Sequence, residues 1–280
     1  MKRRITAILP FAAVLALFGT CGDQNRKVLI RYPHSMNYIN MFKQEGVQKL
    51  QVWQGDSVVY STMRTLDFDI SQRVLRVLPD STAAVEEKSS MMLTAANSKD
   101  STLRDTVREN RTFVLYEAPN GKIVDFESQT PMDSTYLAHF RSWYEQACPI
   151  FPDSAVGVGS TWEIRNAVTV DSQVMQTSTS FKVRGFERFK GYDCIVVDFD
   201  GTIVLPIAVM KSDSLVRGGR DEIHVVGTFW FAYNEGLFVE QTQKETVQGR
   251  RDMRKDGKDF TRHYRIDGDV RMWLTERKRI

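Results

Sequence analysis

Long segments that alternate apolar and polar residues around short glycine-containing turns constrain the fold of this 280-residue chain most. A period of two places successive side chains on opposite faces of a β-strand, so each segment predicts a strand with one apolar face. Asparagine and glycine in the turns supply the positive φ angles that tight hairpins require. The three clearest pairs turn at Gly55-Asp56, at Asn120-Gly121 and at Tyr233-Asn234-Glu235-Gly236, within residues 50–70, 112–128 and 221–247. The sequence therefore predicts antiparallel hairpins.

Other segments rich in β-branched and aromatic residues extend this pattern over most of the chain. They cover residues 27–33, 72–79, 82–93, 161–170, 174–189 and 192–205, and a last pair of arms flanks Lys255-Asp256-Gly257. The polar segment 96–110 is predicted to be a loop because it has no sustained apolar period.

One segment, 133–148, has helical rather than strand periodicity. Its aromatic residues recur at helical spacing and form one stripe, and Pro149 ends it. The stripe consists of Tyr136, Phe140, Trp143 and Tyr144. Two roles stay open for it: packing the helix onto a sheet, or lining a ligand pocket.

Two hairpins resemble each other at a spacing of about half the chain. Thr112-Phe113 aligns with Thr228-Phe229, Gly121 with Gly236, and Val124-Asp125 with Val239-Glu240. The alternative is that similar turn chemistry arose independently in two unrelated hairpins. The repeat predicts a first β-rich half over 21–130, a linking helix over 131–150 and a second β-rich half over 151–280. The predicted fold class is mainly β, with antiparallel curved sheets or half-barrels in two repeated halves and one linking α-helix.

The amino terminus has the layout of an export signal. Lys2, Arg3 and Arg4 precede an apolar segment of about 14 residues, whereas a membrane-spanning helix needs roughly 20. Residues 1–20 are therefore predicted to be a signal peptide. Cys21 stands where the signal of bacterial lipoproteins, which this segment resembles, carries its acylated cysteine. The resemblance implies an exported protein, anchored by acyl chains on the periplasmic or cell-surface side; the alternative is ordinary cleavage after Gly22.

A second resemblance covers about residues 112–250. The segment FPDSAVGVGSTWEI is similar to a motif of uncharacterised secreted proteins and lipoproteins of Bacteroidota. The matching residues are Pro152, Val156, Val158, Gly159 and Trp162. The resemblance implies a cell-envelope protein built from antiparallel sheets, and it implies no activity.

Charge and cysteine content narrow the function classes. Without residues 1–20 the chain has 35 basic and 35 acidic residues, which argues against a nucleic-acid partner. If Cys21 is acylated, Cys148 and Cys194 remain as a candidate disulfide in an oxidising compartment, or as two unpaired thiols. The four histidines are scattered without ligand spacing, so we expect no metal and no cofactor.

A catalytic interpretation has one candidate. Gly55-Asp56-Ser57 and the later Asp221-x-x-His224 resemble the serine block and the acid–histidine pair of GDS-type esterases. Those enzymes are α/β proteins, whereas here Ser57 follows a hairpin turn. We therefore expect a non-catalytic binding or carrier module for an apolar ligand or an envelope partner. The alternatives are a structural or assembly lipoprotein without a ligand and, less favoured, an esterase.

The lipid anchor predicts a specific labelling result. Metabolic labelling with a clickable fatty acid should mark the protein, and Cys21→Ala should abolish the label because the thiol is the acylation site. Cys148→Ala serves as the control and should keep the label. Label that persists in Cys21→Ala would contradict the anchor.

Overall fold

The structure is a computed structural model that describes residues 26–96, 104–170, 173–207, 216–255 and 258–280. The predicted signal peptide and Cys21 lie outside the described residues. The strands are β1 Lys27–Val28, β2 Tyr38–Gln54, β3 Ser57–Val77, β4 Ala83–Ala96, β5 Arg104–Glu117, β6 Ile123–Ser128, β7 Val156–Gly157, β8 Thr161–Val170, β9 Gln173–Phe189, β10 Tyr192–Ile207, β11 Val216–Ala232, β12 Leu237–Lys255 and β13 Lys258–Arg279. The helix found in these residues is α1, Ser134–Ala147.

Eleven strands form one antiparallel sheet in the order β6-β5-β4-β3-β2-β13-β12-β11-β10-β9-β8. Nearly every neighbour is the next strand in the chain, and the exception is the pair β2 and β13. That pair joins the strands before α1 to those after it. The expected mainly β, antiparallel architecture with one helix is confirmed, in a single continuous sheet. The division into two repeated halves stays a prediction.

Three local expectations from the sequence were wrong. β3 is one strand through Val77, although a break was expected after residue 70. The expected loop 96–110 contains the start of β5, because pairing with β4 extends to Arg104. Only Lys27–Val28 of the expected strand 27–33 is a strand, and it pairs with β7.

The sheet has a core face and a polar face, which follow from the alternation of side chains along each strand. Core-face side chains form one register row through Leu50, Ile266, Val247, Ile223 and Ile203. All five belong to, or pack against, the main apolar cluster. Aromatic rings extend this cluster along the strands, including Phe181, Phe199, Phe229 and Phe231.

Helix α1 lies on the core face, and its contacts show that the sheet is curved. It contacts both β6 and β10, which are eight positions apart in the sheet. In a flat sheet these strands would be about 38 Å apart, whereas a helix is only about 10–12 Å wide. The sheet must therefore bend around the helix. Phe140 and Tyr144 pack on the β4–β6 side, and Trp143 packs on the side of the main cluster.

Gln146 fixes the helix where β9 separates from β10. The pairing of β9 with β10 ends at Gly201, so the backbone of Val204 has no partner from β9. The Gln146 Nε2 donates to the Val204 carbonyl at 2.9 Å, and the Val204 N–H donates to Gln146 Oε1 at 3.1 Å. The Thr177 hydroxyl donates to the same Oε1 at 3.2 Å. The buried side-chain amide of Gln146 thus forms the hydrogen bonds with the Val204 backbone that a neighbouring strand would form.

Residues 26–37, called the strap here, join two distant hairpin turns. The Tyr32 N–H donates to the carbonyl of Pro119, in the β5–β6 turn, at 2.8 Å. On its other side the strap meets the β11–β12 turn, where any Cβ at Gly236 would collide with Pro33. The Tyr32 ring lies between them and contacts Phe231 at 5.2 Å and Phe151 at 5.7 Å between ring centroids.

Candidate functional site

A groove of about 1390 Å³ crosses the polar face of the sheet. Most of its lining residues belong to two neighbouring register rows, approximately perpendicular to the strands. The first row is Met92, Asp67, Glu45, Arg271, Thr242, Thr228, Asp198, Lys182 and Thr161. The second row is Thr65, Val47, Asp269, Lys244, Val226, Asp200, Ser180 and Glu163. The groove therefore extends across nine strands, from β4 to β8.

The electrostatic character of the groove is mixed. Asp198 accepts hydrogen bonds from the Arg184 guanidinium and from the Thr228 hydroxyl, at 2.7 Å for the latter. His224 Nε2 lies 2.9 Å from an Asp200 carboxylate oxygen. These side chains are all on the solvent side of the sheet. The groove thus combines charged and hydroxyl side chains with apolar ones, among them Val47 and Val226, which are half exposed, and Phe199 and Val270.

A second, much smaller cavity of about 130 Å³ lies beneath the strap and is called the chamber here. Its walls come from the strap, from the carboxyl end of α1, from the β11–β12 turn and from the core faces of the sheet strands. Four polar atoms in its walls are buried and have no hydrogen-bond partner in the structure. They are His34 Nε2, Asn40 Oδ1, Glu235 Oε2 and Arg277 Nε.

Two carboxyl groups line the same chamber. Burial, with the nearby Glu87 adding to it, raises the pKa of Glu117 to about 8. Burial also raises the pKa of Glu87, against the hydrogen bonds that Glu87 accepts from Tyr144 and Gln72. His34 Nδ1 lies 4.0 Å from a Glu117 oxygen, and burial lowers the pKa of this histidine. At neutral pH we therefore expect Glu117 to carry a proton.

The two cysteines are free and lie in different clusters, so the candidate disulfide is not formed in the structure. Cys148 packs with the β4–β6 side, and Cys194 packs with Leu237 and Val239. Burial raises the pKa of both thiols, to about 12 for Cys194. Neither thiol has the lowered pKa of a reactive cysteine.

The esterase-like residues are not brought together. Asp221 is on the core face, where it binds Arg251 at 2.6 Å and accepts a hydrogen bond from Tyr264. His224, three residues later, is on the polar face. Ser57 begins β3, four positions from β11 in the sheet, a separation of about 19 Å. This serine therefore has no histidine base at hydrogen-bonding distance.

The aromatic stripe of α1 divides between packing and the chamber. Phe140 packs on Phe113 at 5.4 Å between centroids, and Trp143 packs on the main cluster. Tyr144 packs on Phe126 and also lines the chamber. Tyr136 is 41% exposed. The stripe thus contributes one residue, Tyr144, to a cavity wall.

One feature of the sequence points to the chamber. Phe113, Leu115 and Glu117 share the same face of β5, and the first two are buried. A carboxyl group at the third position of an apolar face predicts a buried acid. The groove gave no such signal, because its rows depend on the register of nine strands.

Comparisons with known proteins do not assign a family. No protein-family model matches the chain, and no curated protein matches it. A solved structure described as "Lipid-protein interactions in lipovitellin" aligns at 8% identity over 88% of this chain and 26% of that chain, with a TM-score of 0.47. The "InvG secretin domain beta-barrel from Salmonella SPI-1 injectisome NC-base" aligns at 9% identity over 87% and 63%, with a TM-score of 0.16.

The chain therefore spans about a quarter of the first of these proteins and less than two thirds of the second. Within the described ranges, no helix is both long and apolar enough to cross a membrane. The described part of the chain also contains no group of three or more histidine, cysteine or acidic residues placed to hold a metal ion.

Glu117 predicts a loss of stability at alkaline pH. The folded protein holds a proton on Glu117 up to about pH 8, whereas the unfolded chain releases it near pH 4.3. The free energy of unfolding should therefore fall as the pH rises between these values, by up to about 1.4 kcal/mol per unit. Glu117→Gln should flatten this fall, measured by urea unfolding at pH 5 and pH 8.5.

The matched control for this experiment is Glu127→Gln, because Glu127 is exposed on β6. It should keep the pH dependence of the parent protein. An unchanged pH dependence in Glu117→Gln would show that Glu117 is not the group that holds the proton.

Proposed function

We propose that the protein is a non-catalytic binding module of the cell envelope, tethered through acylated Cys21. Its groove receives an extended segment of an envelope partner protein. The observation that carries this proposal is the continuity of the groove over nine strands. Eight strand spacings give a length of about 38 Å, which accommodates about 11 residues of extended polypeptide.

The charges of the groove favour a polypeptide over a uniformly apolar ligand. Both rows contain acidic and basic residues, and some of them are neighbours, as in Glu45 beside Arg271 and Asp269 beside Lys244. Lys182 and Lys244 form no ion pair within the described residues. A partner segment with charges of both signs would pair with these groups, and such complementarity gives specificity and faster association.

The size and openness of the groove agree with this class of ligand. Pockets for small ligands usually measure about 300–1,000 Å³ and enclose most of the ligand. The groove is larger and exposes several of its side chains, including Val47 at 52% and Val226 at 43%. A partner side chain that packs on these half-exposed apolar groups would remove their surface from water.

A carrier for an apolar ligand is the second candidate. Phe68, Met91 and Leu93 lie on the core face of β3 and β4 and are only partly buried, and their neighbour Leu66 also lines the groove. They lie beyond the part of the core face that α1 covers. An acyl chain placed along them would bury apolar surface that the protein leaves in water. A structural or assembly factor would need neither surface to be occupied by a ligand.

Site-specific photo-crosslinking in cells tests the proposal. A photoreactive residue at Val226, inside the groove, should give an adduct with one envelope protein. The same residue at Val124, exposed to 52% on β6 and outside the groove, is the matched control and should give none. The partner is then purified and its affinity is measured directly.

Charge reversal decides whether that partner uses the groove. Lys182→Glu should lower its affinity at least tenfold, whereas Lys122→Glu in the β5–β6 turn should leave the affinity unchanged. A lipid-sized adduct at position 226 would favour the carrier. Equal crosslinking at positions 226 and 124 would contradict a binding role for the groove.

A further inference from the structure

The chamber differs from an ordinary packing defect because polar and charged side chains line it beside the apolar ones. The strap closes it on one side, and the β11–β12 turn closes it on another. The His34 side chain is only 6% exposed, and its φ of 48° is an unusual backbone conformation for a residue other than glycine. The surrounding structure therefore holds the imidazole in this position, with Nε2 unpaired.

The four unpaired atoms have a definite chemistry. A buried donor or acceptor without a partner destabilises the folded protein, more so when the group is charged, so a guest that pairs with these atoms is favoured. Asn40 Oδ1 and Glu235 Oε2 are acceptors, and Arg277 Nε is a donor. Burial lowers the pKa of His34 and favours the neutral imidazole, whose tautomer with the proton on Nδ1 offers Nε2 as a third acceptor.

Two of the unpaired atoms belong to side chains of opposite charge, Glu235 and Arg277. Glu235 and Arg277 both line the chamber, yet they form no ion pair with each other or with other described residues. The Arg277 guanidinium lies over the Tyr38 ring at 4.1 Å, which holds it in place. A guest between these residues would meet a carboxylate at one place and a guanidinium at another.

Size limits the guest to a few atoms. A cavity of about 150 Å³ accepts benzene, which has six heavy atoms, and the chamber measures about 130 Å³. A guest of five or six heavy atoms therefore fills it. Three acceptors match the three N–H donors of one ammonium group, and Arg277 matches a carboxylate.

We propose that the chamber is a binding site for a small zwitterion that carries an ammonium and a carboxylate group, of the size of glycine or alanine. The ammonium is held by His34, Asn40 and Glu235, and the carboxylate by Arg277. The site is separate from the groove, so its ligand is distinct from the partner that the groove binds.

Calorimetric titration of the full chain tests this assignment. Glycine and L-alanine should bind at least ten times more tightly than acetate, ethylamine or glycerol. Acetate has only the carboxylate, ethylamine only the ammonium, and glycerol only hydroxyl groups. L-Phenylalanine should not bind, because its side chain exceeds the chamber.

Two variants test whether binding of the zwitterion depends on the charge of Glu235. Glu235→Gln preserves the shape of the side chain and should weaken binding of the zwitterion at least tenfold. Glu276→Gln is the matched control, because Glu276 is exposed and precedes Arg277 on β13, and it should bind as the parent does. Thermal unfolding of both variants confirms that they are folded.

Two results would overturn the assignment. Absence of zwitterion binding by the folded parent would mean that the chamber holds water only. Equal binding of glycerol and glycine would mean that the charges of Glu235 and Arg277 do not select the guest. Neither result bears on the groove, whose partner is measured separately.

Discussion

The contact of Tyr32 with two distant hairpin turns is the interaction on which the rest of this structure depends. Its N–H binds the β5–β6 turn at Pro119, and its ring packs on Phe231 and Phe238 beside the β11–β12 turn. β5 and β12 are five positions apart in the sheet, which is about 24 Å in a flat sheet. A single residue can contact both regions only because the sheet is bent. The contacts of the strap therefore show that the sheet is curved, and they also stabilise that curvature.

Helix α1 supports the same bend from inside the sheet. Phe140 and Tyr144 pack on one side of the curve, and Trp143 packs on the other. Gln146 forms hydrogen bonds with the β10 backbone at the point where β9 no longer pairs with it. Together the strap and the helix close one end of the core face, and the chamber is the space that remains between them. The groove lies on the opposite face, where the strands present hydrated side chains. Two different kinds of binding surface thus follow from one bent sheet.

The sequence predicted what depends on local chemistry. Turn residues such as Asn120-Gly121 identified the hairpins, and helical spacing identified α1, because neighbours along the chain decide both. Gly121 and Gly236, aligned by the repeat, both have positive φ, and both meet the strap. The apolar run 27–33 of the strap predicts a strand, because the contact of Tyr32 with Pro119, about 90 residues away, leaves no local sign in the sequence. The groove rows and the four unpaired atoms depend on long-range register, which no short segment encodes.

Hydrogen exchange of Tyr32→Ala, followed by mass spectrometry, tests the central role of the strap most directly. The variant loses a partly buried aromatic side chain and should lose stability by about 3 kcal/mol, the lower end of the range for a core aromatic. The account predicts faster exchange in both hairpin turns, 118–122 and 233–236, and not only in residues 26–37. Tyr136→Ala, at an exposed position of α1, should leave exchange in both turns unchanged. Faster exchange confined to the strap, with both turns still protected, would contradict the claim that Tyr32 holds the two sides of the sheet together.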